Sequence, residues 1–255
     1  MKIVVCIKQV PDVADITWSA NNTMVREGVE SILNPFDEFA LEVALKIKDS
    51  TENTTITALT MGPVQAKSIL ERAIAMGCDE GVLVSDKKFA GSDTQATARI
   101  LAASIIKKVP DFDLILFGQF AIDGDTGQVG PSVAQILNLP QVTYAKEAIL
   151  IPQNKILVNK QTEYGLEKLK MQLPGVVCVM KGLKPRKFTI AGAIRAQNSS
   201  ILTYNFDDIS LKEELVGIKG SPTSVAKAFK FEKTRKCQFL NNSLELSKIL
   251  EGGNA

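Results

Sequence analysis

Through its first half this chain alternates short aliphatic runs with stretches whose apolar residues recur at helical spacing, and that alternation narrows the possible folds most. Lys2–Ile7, Thr55–Met61, Gly81–Val84 and Leu114–Phe117 read as strands. Between them Phe36, Ala40, Val43, Ala44 and Ile47 fall on one helical face, as do Ala66, Ile69, Leu70, Ala73 and Ile74, and then Ala96, Ile100, Leu101 and Ile105. Asn34-Pro35 followed by Asp37 and Glu38 is a helix start, with a capping residue, proline at the first position and acids in the first turn. Gly91-Ser92-Asp93-Thr94 reads as a second cap, opening a helix that runs to about Lys107. Repeated strand–helix units predict an α/β fold with a mostly parallel sheet and helices on both faces. In such a sheet ligands sit beyond the carboxyl ends of the strands, which singles out the loops at 8–12, 61–63 and 118–128.

The third of these loops carries the most chemistry. Gly118-Gln119-Phe120-Ala121-Ile122-Asp123-Gly124-Asp125-Thr126-Gly127-Gln128-Val129 joins a buried strand to a helix that includes Val133–Leu137. Main-chain N–H groups converge at such a junction, and the positive end of the helix favours an anion. Glycines let the backbone come close to a ligand, while Asp123, Asp125, Thr126 and Gln128 can read hydroxyl groups. An ordinary strand-to-helix turn is the plain alternative, as a simple cap is for Asn34-Pro35 and a small core residue is for Cys6.

From about Gln141 the pattern changes. Ala148–Pro152, Lys155–Gln161 and Leu166–Leu173 predict antiparallel strands, Gly175–Met180 a further buried strand, and Lys184 to about Asn198 a basic segment of poor periodicity. After Asn205 periodicity is weak until a short helix expected at Leu244–Leu250, so residues 205–255 read as an extended arm on a domain spanning 1–204. A formal charge of +2 over 255 residues gives no reason to expect nucleic acid or an anionic membrane surface as partner, and no stretch reads as a membrane span. The sequence contains no histidine, which removes Ser-His, Cys-His and zinc-hydrolase chemistry. Cys6, Cys78, Cys178 and Cys237 form no Cys-x-x-Cys pair, which predicts free thiols in a reducing, cytoplasmic setting and no metal site. Chemistry then falls to a bound cofactor.

Taken in order, Cys6-Ile7-Lys8-Gln9-Val10-Pro11-Asp12, Asn34-Pro35-Phe36-Asp37, Met61-Gly62-Pro63, Ala75-Met76-Gly77, Ala121-Ile122-Asp123-Gly124-Asp125 and Pro185-Arg186 resemble the small (beta) subunit of electron transfer flavoproteins over nearly the whole chain. The resemblance implies a flavodoxin-like (adenine-nucleotide alpha hydrolase-like) core. It also implies pairing with a large (alpha) subunit whose flavin exchanges electrons with a flavin-containing dehydrogenase of acyl-CoA or 2-hydroxy acid type. The family's nucleotide contacts carry over to Cys6, Asn34, Pro35, Phe36, Asp37, Met61 and Gly118 through Val129. Ordinary members hold AMP there. The electron-bifurcating branch holds FAD, takes electrons from NADH, and sends one of each pair to ferredoxin or flavodoxin. Lys8–Asp12, Asp123–Pro131 and Gly220-Ser221-Pro222-Thr223 look like the bifurcating branch, and small Gly124 and Gly127 leave room for a second phosphate. That branch implies a non-autonomous redox subunit of an NADH-linked dehydrogenase complex, with no catalytic acid or base of its own. The resemblance further makes about 182–198 a recognition loop docking on the dehydrogenase, with Pro185, Arg186, Ile190 and Arg195 as its contacts. Lys181-Gly182-Leu183 departs from the Asn or Glu that many relatives carry before Pro-Arg.

Overall fold

The computed structural model describes residues 1–12, 17–18, 24–25, 31–224, 240, 242–244 and 246–247. The helix expected at Leu244–Leu250 falls largely outside them, as does about half of the expected arm. Strands β1 (Lys2–Cys6), β6 (Thr55–Met61), β7 (Glu80–Val84), β8 (Leu114–Gly118), β9 (Gln141–Ile151), β10 (Lys155–Thr162), β11 (Gly165–Gln172), β12 (Gly175–Val179) and β13 (Leu202–Tyr204) form one sheet in the order β11-β10-β9-β12-β8-β1-β6-β7-β13. Every neighbouring pair from β9 to β13 along that order is parallel, and the β9-β10-β11 extension is antiparallel. Two small antiparallel ribbons, β2 (Gln9–Pro11) with β5 (Ser31–Leu33) and β3 (Thr17–Trp18) with β4 (Met24–Val25), fill the connection after β1.

Alternating side chains of β1 divide the core in two. Ile3, Val5 and Ile7 face α1 (Pro35–Ser50) and α2 (Lys67–Met76), whereas Val4 and Cys6 face α3 (Thr94–Lys108) and α4 (Val129–Ile136). Helices therefore cover both faces, as the alternating pattern requires. Leu41 of α1 and Ile100 of α3 are fully buried, one on each side. Truncating either to alanine would cost about 2–5 kcal/mol, through lost transfer energy and the cavity left behind.

The segment read as aperiodic contains a helix, α5 (Ile190–Gln197), packed on α2. Its pattern is inverted, because Gly192 and Ala196 are the buried residues while Ile190 and Ile194 are exposed. A side chain at 192 would collide with the Ala75 carbonyl, so a small residue there permits the close helix–helix approach. The inward face of this helix therefore carries no large apolar residue at helical spacing. Beyond Asn205 the chain does not leave the domain at once. Ile209 and Val216 are buried in the core layer that α3 also lines, and Ser221 and Thr223 hydrogen-bond to the Gly91–Asp93 turn. The expected arm thus starts, as far as residue 224, as a strap over the core.

Candidate functional site

Strand order reverses at β1, which has β6 on one side and β8 on the other. Parallel strands whose connections depart in opposite directions leave a crevice at their carboxyl ends. A cleft of about 330 Å³ opens there. Its floor is Cys6, Ile7 and Lys8 from the end of β1, Met61 from the end of β6, and Phe117 and Gly118 from β8. Its walls are Asn34 and Asp37 at the start of α1, and Ser92, Asp93, Thr94, Thr97 and Leu101 at the start of α3. Gln119, Phe120, Ala121, Gly124, Thr126, Gly127, Gln128, Val129 and Gly130 close the rim.

The start of α1 is tied to this rim. Asn34 stands at the cap position but makes no side-chain cap. Its Nδ2 donates to the Phe120 carbonyl at 3.0 Å and its Oδ1 accepts from the Ile122 N–H at 3.3 Å. A buried asparagine would otherwise strand these polar atoms, so the loop's backbone and the side chain satisfy one another. Asp37 accepts from the N–H groups of Lys8 at 2.7 Å and Gly118 at 3.2 Å. It thereby joins the ends of the two central strands that flank the crevice. Glycine is needed at 118 because a Cβ would meet the Asp37 carboxylate and the first turn of α1. Burial pushes the Asp37 carboxyl up to about 7, against the opposing pull of its N–H partners. Burial also raises the Cys6 thiol well above its ordinary value, so any part Cys6 plays is through its backbone.

Within the glycine-rich loop the Gly124 and Asp125 N–H groups both donate to the Ala121 carbonyl, at 3.2 and 2.8 Å. The turn at 121–125 thus closes on itself, and the Asp125 N–H is spent within it rather than left for an anion. Among the described residues the N–H groups of Thr126, Gly127, Gln128 and Val129 have no acceptor within the chain. These donors stand where α4 begins and line the cleft. Nothing lies within 4 Å of where a Gly124 Cβ would be. Gly127 has φ +61°, a conformation that resists side chains for a different reason.

Some sequence-derived residues are not on the main cleft. Phe36 packs against Phe120 with ring centroids 4.1 Å apart and the rings tilted by 44°, and Pro35 starts α1. Ile122 serves Asn34, while Asp125 lines a neighbouring hollow with Thr143 and Tyr144. Asp123, read as a hydroxyl acceptor, forms an ion pair with Lys8 at 2.7 Å. Thr97 and Leu101 were missed as cleft residues. They lie three and seven positions after Thr94, on one face of α3, and that spacing was legible. Asp93 was read first as a cap, and it accepts from the Gln95 and Ala96 N–H groups at 3.0 Å each while its other oxygen takes Thr223.

The proposed docking residues lie on the far side of α1 and α2. The Arg186 guanidinium donates to Glu42 at 3.0 and 3.1 Å and to Asp49 at 2.7 Å. Arg195 donates to the Ile74 carbonyl. Pro185 is half-buried, and Ile190 is 84% exposed. Among the described residues no cluster of His, Cys, Asp and Glu could hold a metal ion, and no helix is long and apolar enough to cross a membrane.

A switch-point cleft with free main-chain donors at a helix start defines an α/β protein whose strand ends form a ligand-sized crevice. Comparison with known proteins supplies the family. The model of the electron transfer flavoprotein domain matches residues 21–208. The chain is 46% identical over 231 residues (90% of it and 87% of the relative) to the caffeyl-CoA reductase-Etf complex subunit CarD of Acetobacterium woodii. It is 43% identical over 236 residues (90% and 87%) to the electron transfer flavoprotein subunit beta of Megasphaera elsdenii. It is 40% identical over 237 residues (90% of it and 83% of the relative) to protein FixA of Sinorhizobium fredii. This chain belongs to the electron transfer flavoprotein family, as a small (beta) subunit acting in electron transfer.

Proposed function

We propose that the chain is the nucleotide-carrying small subunit of an electron-bifurcating complex. In this reading it binds FAD in the switch-point cleft, draws electrons from NADH, and divides them between ferredoxin or flavodoxin and, through the large subunit's FAD, a partner dehydrogenase. The observation that carries the reading is the loop at 124–129. It combines unspent N–H donors with open space beside Gly124, which suits a diphosphate and the bulk beyond it. The names of relatives support the partner. One is a subunit of a caffeyl-CoA reductase complex, and the acryloyl-CoA reductase electron transfer subunit gamma of Anaerotignum propionicum is 40% identical over 237 residues. An acyl-CoA type of dehydrogenase fits these better than a 2-hydroxy acid type.

FAD, when bound, supplies the exchange between two-electron and one-electron chemistry. The chain's own residues hold and orient. Thr126 to Val129 offer N–H donors to phosphate, and the start of α4 adds its positive end. Backbone atoms around Cys6 and Met61 border the floor, where an adenine edge can be read. The acids of the cleft are committed, Asp37 to two strand ends and Asp93 to the α3 cap, so neither is left as a general base.

The smaller ligand of ordinary family members, AMP, also fits a hollow of about 330 Å³, which is near the lower end for ligand sites. In that reading the chain holds AMP structurally and presents the docking loop. Acid release of cofactor from the purified complex separates the two readings. Two FAD per heterodimer is the expected result, and one FAD with one AMP overturns the bifurcating assignment.

A further inference from the structure

Among the described residues lining the cleft, Lys8 carries the one cationic side chain. Its backbone is fixed, because its N–H donates to Asp37 and its carbonyl accepts from the Asn34 N–H at 2.9 Å. Its ammonium is half exposed and lies 2.7 and 2.8 Å from the two carboxylate oxygens of Asp123. Asp123 belongs to the turn that leads directly into the free donors at Thr126 to Val129. Asp123 stands three positions before the first of those donors and holds the cleft's cation, although its own side chain does not line the cleft. A phosphate held by the same loop adds a second negative charge that competes with Asp123 for that cation. An ammonium has three donors and a flexible stem, so it can turn from one to the other, while the main chain at residue 8 stays clamped.

We propose that Lys8 reads the phosphate charge of the nucleotide, exchanging Asp123 for a phosphate oxygen when the ligand binds. Asp123 is then an internal competitor. It sets a threshold that a nucleoside diphosphate, with its greater negative charge, clears more readily than a monophosphate. The inference rests on the nucleotide reading of the cleft and adds the pair of residues that chooses between ligands.

The test is calorimetric titration of AMP and ADP into the full-length chain, wild type and variants. Lys8→Gln should weaken ADP about fivefold and AMP less, the scale of one partly exposed ion pair. Asp123→Asn should tighten ADP by a similar factor, and that gain should vanish when Lys8→Gln is also present. Lys8→Arg should keep the preference for ADP over AMP. The proposal is overturned if Asp123→Asn weakens ADP as Lys8→Gln does, since the pair would then merely brace the loop. It is equally overturned if neither variant changes ADP affinity. A wild-type chain that binds neither AMP nor ADP would instead strike down the nucleotide reading itself.

Discussion

The Asn34 side chain donates to the Phe120 carbonyl at 3.0 Å, binding the first residue before α1 to the loop after β8, 86 positions away in sequence. With the Ile122 N–H on its oxygen, this one amide fixes the approach of the glycine-rich loop to the crevice. Asn34→Ala removes both bonds and leaves two main-chain groups without partners. The expected loss is about 1–3 kcal/mol of stability, together with weaker nucleotide retention. Urea unfolding and cofactor content after gel filtration check it. An alanine variant that keeps both would mean the loop is held elsewhere.

Asp37 predicts a pH dependence with a definite sign. Its carboxyl is raised from the ordinary 3.8 to about 7, chiefly by burial. Between those values the folded chain holds a proton that the unfolded chain has released. Stability from this group is therefore fully present below about pH 4 and is lost as pH rises towards 7, by up to about 1.4 kcal/mol per unit. Asp37→Asn should remove that component. The difference in denaturant midpoint between wild type and variant should shift in the variant's favour from pH 5 to pH 7.5. Parallel pH profiles would mean the carboxylate is ionised throughout.

Gly124 and Gly127 separate two ways of damaging the loop. Gly124→Glu places a charged side chain in open space, so the fold should survive while nucleotide affinity falls at least tenfold. Gly127→Glu strains a backbone at φ +61° as well, and should also lower the melting temperature. Flavin content unchanged in Gly124→Glu would reject the placement of phosphate at this loop.

Arg186 faces a nearly buried Glu42 and a more exposed Asp49. Arg186→Ala would leave Glu42 buried without its cation, at a cost of about 2 kcal/mol or more. Restoring part of that stability with Glu42→Gln in the same chain would confirm the cause, and urea unfolding reads both. Additive losses would mean the pair is not coupled.

Ile190 is open to a different test, because its side chain is almost fully exposed at the start of α5. Ile190→Glu should leave the melting temperature within about 1 °C and flavin reduction by NADH intact, while transfer to the dehydrogenase drops. Loss of both reactions together would make this helix a structural element only.

The sheet and its helices were largely legible, because buried parallel strands and amphipathic helices leave strong periods in sequence. Thr55–Met61 matches β6 end to end, and the switch-point loops fell where strand order implied. Long-range polar contacts were not legible. Nothing local signals that Asn34 would serve Phe120, that Lys8 would pair with Asp123, or that Thr223 would reach Asp93. Such partners are fixed only once the sheet has brought distant strand ends together. α5 was hidden for another reason, since its inward face is made of glycine and alanine, which carry no hydrophobic signal.

The outermost parallel strand, β13, comes from residues 202–204 and pairs Leu202 with Val82. The rim of the sheet beside β7 therefore waits, during synthesis, until nearly the whole domain has left the ribosome. A nascent chain halted before residue 202 would expose a bare strand edge, with unpaired backbone groups ready to capture another chain. The late arrival of this short strand makes completion of the sheet, rather than its nucleation, the step most open to misassembly.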